Sequence, residues 1–175
     1  MKSFALLVSL VFTLSQRWVN PLFRRVPLQP TVDPTAIPLS PTGGGTYPRL
    51  ANVRGAILAV YTAFDGDTHI LTISRSTDGG KTFSAWGTVA SGTGDLDNPD
   101  LIQLSNGNII CTFRNHDKNS SGDYTFYRIT ATLSTDGGKS WTYLSQVDQR
   151  AANAAGRNGL WVSHLILTLD LEDRI

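Results

Sequence analysis

Two short segments, Asp97-Asn98-Pro99 and Arg114-Asn115-His116, gather carboxylate, amide, guanidinium and imidazole groups within a few residues of one another. A site for sugar hydroxyls needs this chemistry, a small number of placed donors and acceptors. Trp161 adds an aromatic face on which a sugar ring can stack. Plainer roles are open to the same residues. Asp97 and Asn98 can cap a turn, Arg114 and Asp117 can form a local ion pair, and His116 can be a solvated loop residue. His69 reads as an ordinary strand residue. Asp65-Gly66-Asp67 reads as a hairpin turn rather than a calcium site.

The elements that must position these groups are announced by a repeat. Ser76-Thr77-Asp78-Gly79-Gly80-Lys81-Thr82-Phe83 returns as Ser134-Thr135-Asp136-Gly137-Gly138-Lys139-Ser140-Trp141, 58 residues later. A repeat of this period marks a fold made from copies of one supersecondary unit. Asp78 and Asp136 can accept bonds from turn amides a few residues on. The paired glycines permit the positive φ of a tight turn. Phe83 and Trp141 then supply a large apolar side chain to the next strand. The pattern Ser-x-Asp-x-Gly-x-Thr/Ser-aromatic resembles the Asp-box of sialidases and related β-propeller proteins, in which it sits away from the substrate. The eight positions Ser76, Asp78, Gly80, Phe83, Ser134, Asp136, Gly138 and Trp141 are therefore read as structural.

Strand patterns surround both copies. Ala56 to Thr62 is a short apolar run, Thr68 to Arg75 alternates, and Phe83 to Ala90 follows the first turn. The second set is Asp100 to Leu104, Asn108 to Arg114, Tyr124 to Leu133 and Trp141 to Val147. Asp97-Asn98-Pro99 then precedes a strand, and Arg114-Asn115-His116 follows the next. The expected fold is all-β, an incomplete β-propeller of about two four-stranded antiparallel blades over residues 46–161. Closed propellers use about four to eight blades.

Net charge is +1 and no basic run exceeds Arg24-Arg25, which argues against a nucleic-acid partner. Lys2 followed by apolar Phe4 to Leu14 predicts a signal peptide over residues 1–15, too short to span a membrane. Secretion to the extracellular space is expected, with no membrane association after cleavage. Asn119-Ser120-Ser121 is an N-glycosylation acceptor. The single cysteine, Cys111, lies in an apolar stretch and reads as inert core. Residues 16–45 are punctuated by proline and glycine and read as an arm or linker.

Further segments, in order, resemble secreted fungal glycoside hydrolases of the sialidase superfamily, and most of all the exo-arabinanase family. They are Thr46-Tyr47-Pro48-Arg49-Leu50, Asp95-Leu96-Asp97-Asn98-Pro99, Phe113-Arg114-Asn115-His116-Asp117, Tyr127-Arg128-Ile129-Thr130 and Asn158-Gly159-Leu160-Trp161. The resemblance implies a six-bladed propeller, a sugar pocket at its central mouth, exo-hydrolysis of a polysaccharide and no cofactor for the chemistry. In sialidases an Arg-Ile-Pro element grips the sugar carboxylate. Here Arg49 stands in Pro48-Arg49-Leu50, where it either lines the pocket or pairs with a carboxylate at the mouth. Arg49, Asp97, Asn98, Arg114, Asn115, His116 and Trp161 are the expected substrate-binding residues.

Glycoside hydrolysis normally takes two carboxyl groups, one held protonated. In the family resembled, Asn-Gly-Leu-Trp is followed by a catalytic Glu. Here Trp161 is followed by Val162-Ser163-His164, and the only glutamate among fourteen acidic residues is Glu172. No catalytic residue is therefore assigned. Residues 162–175 read as an aberrant tail. Val-Ser can be encoded by GTG-AGT, a sequence like a 5′ splice site, which motivates the hypothesis of a retained intron. A transcript with no intron removable at that codon would dispose of it. The expected function is the N-terminal part of a secreted glycoside hydrolase, inactive as this chain. The alternative is a non-catalytic carbohydrate-binding propeller segment.

Overall fold

The computed structural model describes residues 31, 34–153, 159–161 and 164–166. By contacts the chain divides into Met1–Thr35 and Ala36–Ile175, and every strand belongs to the second unit. The expected signal peptide, Val162-Ser163 and Glu172 lie outside the described residues.

Eight strands succeed one another in chain order: β1 (Thr46–Val53), β2 (Ala56–Asp65), β3 (Thr68–Ser76), β4 (Ser84–Gly92), β5 (Asp95–Gln103), β6 (Ile109–Lys118), β7 (Tyr124–Ser134) and β8 (Thr142–Ala151). They form two four-stranded antiparallel meanders, β1-β2-β3-β4 and β5-β6-β7-β8. No helix occurs among the described residues. This is the all-β, two-blade arrangement expected from the repeat.

The repeated turns behave as their chemistry dictates. Asp78 Oδ1 accepts the backbone N–H groups of Lys81 and Thr82, each at 3.0 Å, and the Ser76 hydroxyl at 2.7 Å. Asp136 does the same with Lys139, Ser140 and Ser134. Gly79, Gly80, Gly137 and Gly138 take φ values of 76°, 88°, 78° and 87°, a region that side chains with a Cβ rarely adopt. These bonds hold the Asp78 carboxyl far below its usual range, the Thr82 hydroxyl contributing most. The Ser140 hydroxyl leads in drawing Asp136 down to about 2.

The core lies between the sheets. Leu58, Val60, Leu71, Ile73 and Val89 of the first meet Leu96, Leu101, Ile109, Cys111 and Phe113 of the second. Cys111 is fully buried and its thiol is pushed up by desolvation, so it is packed as a small apolar residue. The second turn docks on the first sheet. The Trp86 indole N–H donates to Gly137 O at 3.0 Å, and Gly87 faces the Lys139 carbonyl so closely that an added Cβ would lie 2.5 Å from it. Between sheet one and the preceding chain, Ser74 donates to Leu39 O at 2.6 Å. That bond lays part of the expected linker against β3.

β1 is not among the strands expected from the sequence, β2 and β8 run on to Asp65 and Ala151, and two boundaries differ at polar segments. Asp97-Asn98-Pro99 does not precede a strand; it lies within β5, at an irregularity between Asp97 and Asp100. Arg114-Asn115-His116 does not follow a strand but is part of β6. The polarity of both segments hid them from a pattern that counts apolar residues. Their neighbours supply the polar partners that let them be buried.

Candidate functional site

The antiparallel order sends the two repeated turns to one end of the sheets. The opposite end is built from the 65–68 and 118–124 hairpins, the β4–β5 link and the start of β1. The candidate site lies toward this second end.

Strand pairing assembles it. Asp95 stands opposite His116, Asp97 opposite Arg114, and Arg114 opposite Ile129. Residues two apart share a face, so Asp95 and Asp97 on β5 meet Arg114 and His116 on β6. Arg114 Nη2 donates to Asp95 Oδ1 at 2.9 Å and to Asp97 Oδ2 at 3.3 Å. The other Asp97 oxygen receives the Thr62 hydroxyl from the first sheet at 2.6 Å. Tyr124 donates to Asp95 Oδ2 at 2.8 Å. All four members of the cluster, Asp95, Asp97, Arg114 and His116, are buried. A buried guanidinium between two carboxylates satisfies charges that would otherwise be costly to desolvate.

The electrostatics follow from these contacts. Burial by itself would raise Asp95, but the Tyr124 hydroxyl and then the Arg114 guanidinium outweigh it and hold the carboxyl below its usual range. Burial and the bond to Asp95 push Tyr124 up to about 12. His116 is lowered chiefly by burial. Its Nε2–H donates to Leu160 O at 2.7 Å, while Nδ1 has no hydrogen-bond partner and stands 3.7 Å from Asp95 Oδ2. Arg114 Nε and Thr112 Oγ1 are likewise unpartnered and buried.

Aromatic rings surround the guanidinium. Trp161 lies 5.6 Å and Tyr47 6.0 Å from Arg114 Cζ. Both rings are about half exposed, at 49% and 45%. Tyr127 and Tyr124 pack edge-on to His116. Two non-glycine residues here have positive φ, Tyr47 at 50° and Asn98 at 49°, each beside a register shift in β1 or β5. Such conformations cost of the order of 1–3 kcal/mol and persist where the surroundings demand them.

Asp97, Asn98, Arg114, His116 and Trp161 therefore come together. Asn98 Nδ2 donates to Trp161 O at 2.8 Å, which ties the segment around Trp161 to β5. The plainer alternatives for two residues do not hold. Arg114 pairs with Asp95 and Asp97 rather than Asp117, which pairs with Arg128. His116 is fully buried rather than solvated. Arg49 is exposed and donates to Pro48 O at 3.1 Å, away from the cluster's bonds. Asn115 points to the other face of β6 and donates to Thr130 Oγ1 at 3.1 Å. Asn119 sits at the exposed start of the β6–β7 turn, its Oδ1 accepting the Ser121 and Asp123 N–H groups.

Sequence reasoning assigned no site role to Asp95, Tyr124, Tyr127 or Tyr47, although Tyr47, Asp95 and Tyr127 stand in the segments that carry the resemblance. The Asp95-x-Asp97 spacing was the available signal, since it matches Arg114-x-His116 on a neighbouring strand. Donor atoms of His69, Asp95 and Asp97 lie within 4.8 Å of one another. His69 Nδ1 donates to Leu96 O at 3.1 Å, and both carboxylates face Arg114. The cationic place in this set is thus taken by a guanidinium.

No protein-family model matches the chain, and no curated protein matches it. Solved structures do. The α-L-arabinofuranosidase Arb93A from Fusarium graminearum, as a mutant in complex with an iminosugar inhibitor, is similar at a TM-score of 0.51 and 22% identity. The GH93 α-L-arabinofuranosidase of Fusarium graminearum with arabinobiose is similar at 0.51 and 23% identity. Each match covers 60% of this chain and only 32% of the other. At such identity the likeness establishes the fold alone: two sheets of a β-propeller, spanning about a third of the length of the chains they match.

Proposed function

We propose that this chain is part of a secreted, glycoside-hydrolase-like β-propeller that binds polysaccharide through the Asp95–Arg114–Asp97 cluster and its aromatic surround, and that it does not turn substrate over by itself. The observation that carries the reading is the buried Arg114 held between two carboxylates and flanked by Tyr47 and Trp161. Polar groups with fixed orientations beside half-exposed rings suit a sugar, which offers hydroxyls at its edge and an apolar face. The similar solved structures hold arabinobiose in one case and an iminosugar in another, which supports a carbohydrate ligand of the arabinan type.

The non-catalytic alternative has a specific observation in its favour. Asp95 and Asp97 each spend an oxygen on Arg114, and Asp95, held below its usual range, is excluded as the general acid of glycoside cleavage and left only the role of base or nucleophile. Affinity electrophoresis of the full chain in linear arabinan tests binding, and a reducing-sugar assay on the same polymer tests turnover. Retarded migration without sugar release is the expected pair of results. Unretarded migration on arabinan and on a sialoside polymer would remove the carbohydrate reading. Measurable hydrolysis would remove the inactivity. Secretion is checked by N-terminal sequencing of exported protein, which should begin after Ser15, and modification at Asn119 by a mass shift on amidase deglycosylation.

A further inference from the structure

Strand alternation gives β6 two different faces. Arg114 and His116 look into the charged cluster, whereas Phe113, Asn115 and Asp117 look the other way, with Asn115 bonded to Thr130 on β7. That second face opens into a cleft of about 350 Å3 between the β4–β5 link and the end of β6. Leu96 and Phe113, both part of the core between the sheets, lie beneath it almost wholly buried, so the surface it offers is mostly polar. Gly94 explains why the cleft has this shape. The link is pressed against β6 so closely that a Cβ at Gly94 would lie 2.5 Å from the His116 carbonyl oxygen. Gly92, two residues earlier, has only ordinary contact with Leu96, at 3.5 Å from an added Cβ, and leaves the wall open.

The rim is polar, and much of it is free. The hydroxyls of Ser91 and Thr93 are exposed and have no hydrogen-bond partner among the described residues. Asn115 spends its amide N–H on Thr130 and keeps its carbonyl oxygen. Asp117 binds Arg128 through Oδ2, leaving Oδ1. The Lys118 ammonium lies 5.3 Å from the Tyr124 ring and pairs with no carboxylate among the described residues. Donors and acceptors of both kinds thus line the cleft. An anion would face the Asp117 carboxylate, a cation would face Lys118, and a purely apolar ligand would leave the rim unsatisfied. A neutral polyhydroxylated ring satisfies all of them.

We infer that this cleft is a second sugar-binding subsite, taking a neutral monosaccharide unit of the polysaccharide on the face of β6 opposite the Arg114 cluster. It rests on the carbohydrate reading above and adds to it a separate place of binding with its own residues. Asn115 is then a ligand-binding residue of the cleft and not of the cluster.

Amide chemical-shift titration of the full chain with arabinobiose tests it, using the wild type, Gly92→Val and Asn115→Ala. Gly92→Val fills the cleft from a position with no positive φ. Asn115→Ala trims a half-buried side chain and guards against misfolding of the first variant. The Gly92, Thr93 and Gly94 amides should shift saturably in the wild type. Asn115→Ala should weaken that response by about tenfold, the loss of about one hydrogen bond, and Gly92→Val at least as much by occupying the space, while shifts at Asp97 and Asn98 remain. Shifts confined to Asp97 and Asn98 would overturn the cleft and spare the cluster. No shift at either place up to the solubility limit of the sugar would overturn both. Weakening at the cleft and the cluster alike by Gly92→Val and Asn115→Ala would also overturn the separate subsite, since one site would then explain the binding.

Discussion

Trp86 donates its indole N–H to the carbonyl of Gly137, 3.0 Å away, and so fastens the second repeated turn to the first sheet. Leu144 sits in the matching irregularity of β8, between the Thr132–Tyr143 and Ala131–Ser145 pairs, as Trp86 sits between Ser74–Ala85 and Ile73–Gly87. Leu144 is 45% exposed. The same position that joins the two sheets is thus left open on the second.

Trp86→Phe keeps an aromatic ring and removes the donor. The loss should be about 1 kcal/mol, the net contribution of one ordinary hydrogen bond. Urea denaturation followed by fluorescence of the remaining tryptophans measures it. No change in midpoint would mean the bond contributes nothing to joining the sheets.

Gly87→Ala places a Cβ 2.5 Å from the Lys139 carbonyl and 2.7 Å from that of Gly138, both backbone atoms. The turn must move, at a cost of about 1–3 kcal/mol, the usual range for overpacking. A control at Gly92→Ala separates the causes, because Gly92, like Gly87, has no positive φ and an added Cβ there meets Leu96 only at an ordinary 3.5 Å. Comparable thermal shifts for both would point to backbone conformation rather than contact.

Arg114→Leu leaves Asp95 and Asp97 buried without their cation. Removing one partner from a buried ionic set costs about 3–5 kcal/mol. Adding Asp95→Asn and Asp97→Asn to that variant should recover much of the loss. If the triple variant is no more stable than the single one, the penalty lies in packing and not in charge.

Asp136 is drawn down to about 2, led by its bond from the Ser140 hydroxyl, so its folded value is below its ordinary 3.8. A carboxyl depressed on folding stabilises the fold fully above its unfolded value, and that contribution is lost as pH falls through the folded value. Melting temperature should therefore be level near pH 5 and fall between about pH 4 and 2. Asp136→Asn should lie lower at pH 5 and fall less steeply. Parallel curves for the two proteins would refute the assignment.

Local chemistry was legible in the residue order wherever one short segment decides the outcome. Ser-Thr-Asp-Gly-Gly-Lys names a turn because its carboxylate, hydroxyls and amides meet within a few residues, and both copies close as that chemistry requires. The alternation of Thr68 to Arg75 likewise sufficed to place β3 and bury Leu71 and Ile73.

The charged strands were not legible in this way. Asp95 to Pro99 and Arg114 to His116 carry too much polarity to read as buried strand. Only when β5 pairs with β6 does each carboxylate gain its guanidinium, and desolvation becomes tolerable. The fate of Asn115 was decided by the same pairing, since the two-residue period of a strand sends it away from its neighbours Arg114 and His116. Residue order alone determined the turns, seven of the eight strands and the two-sheet plan, because these rest on contacts close along the chain. Tertiary structure decided which polar groups share a face and which are buried, because those partners are brought together across strands from distant segments.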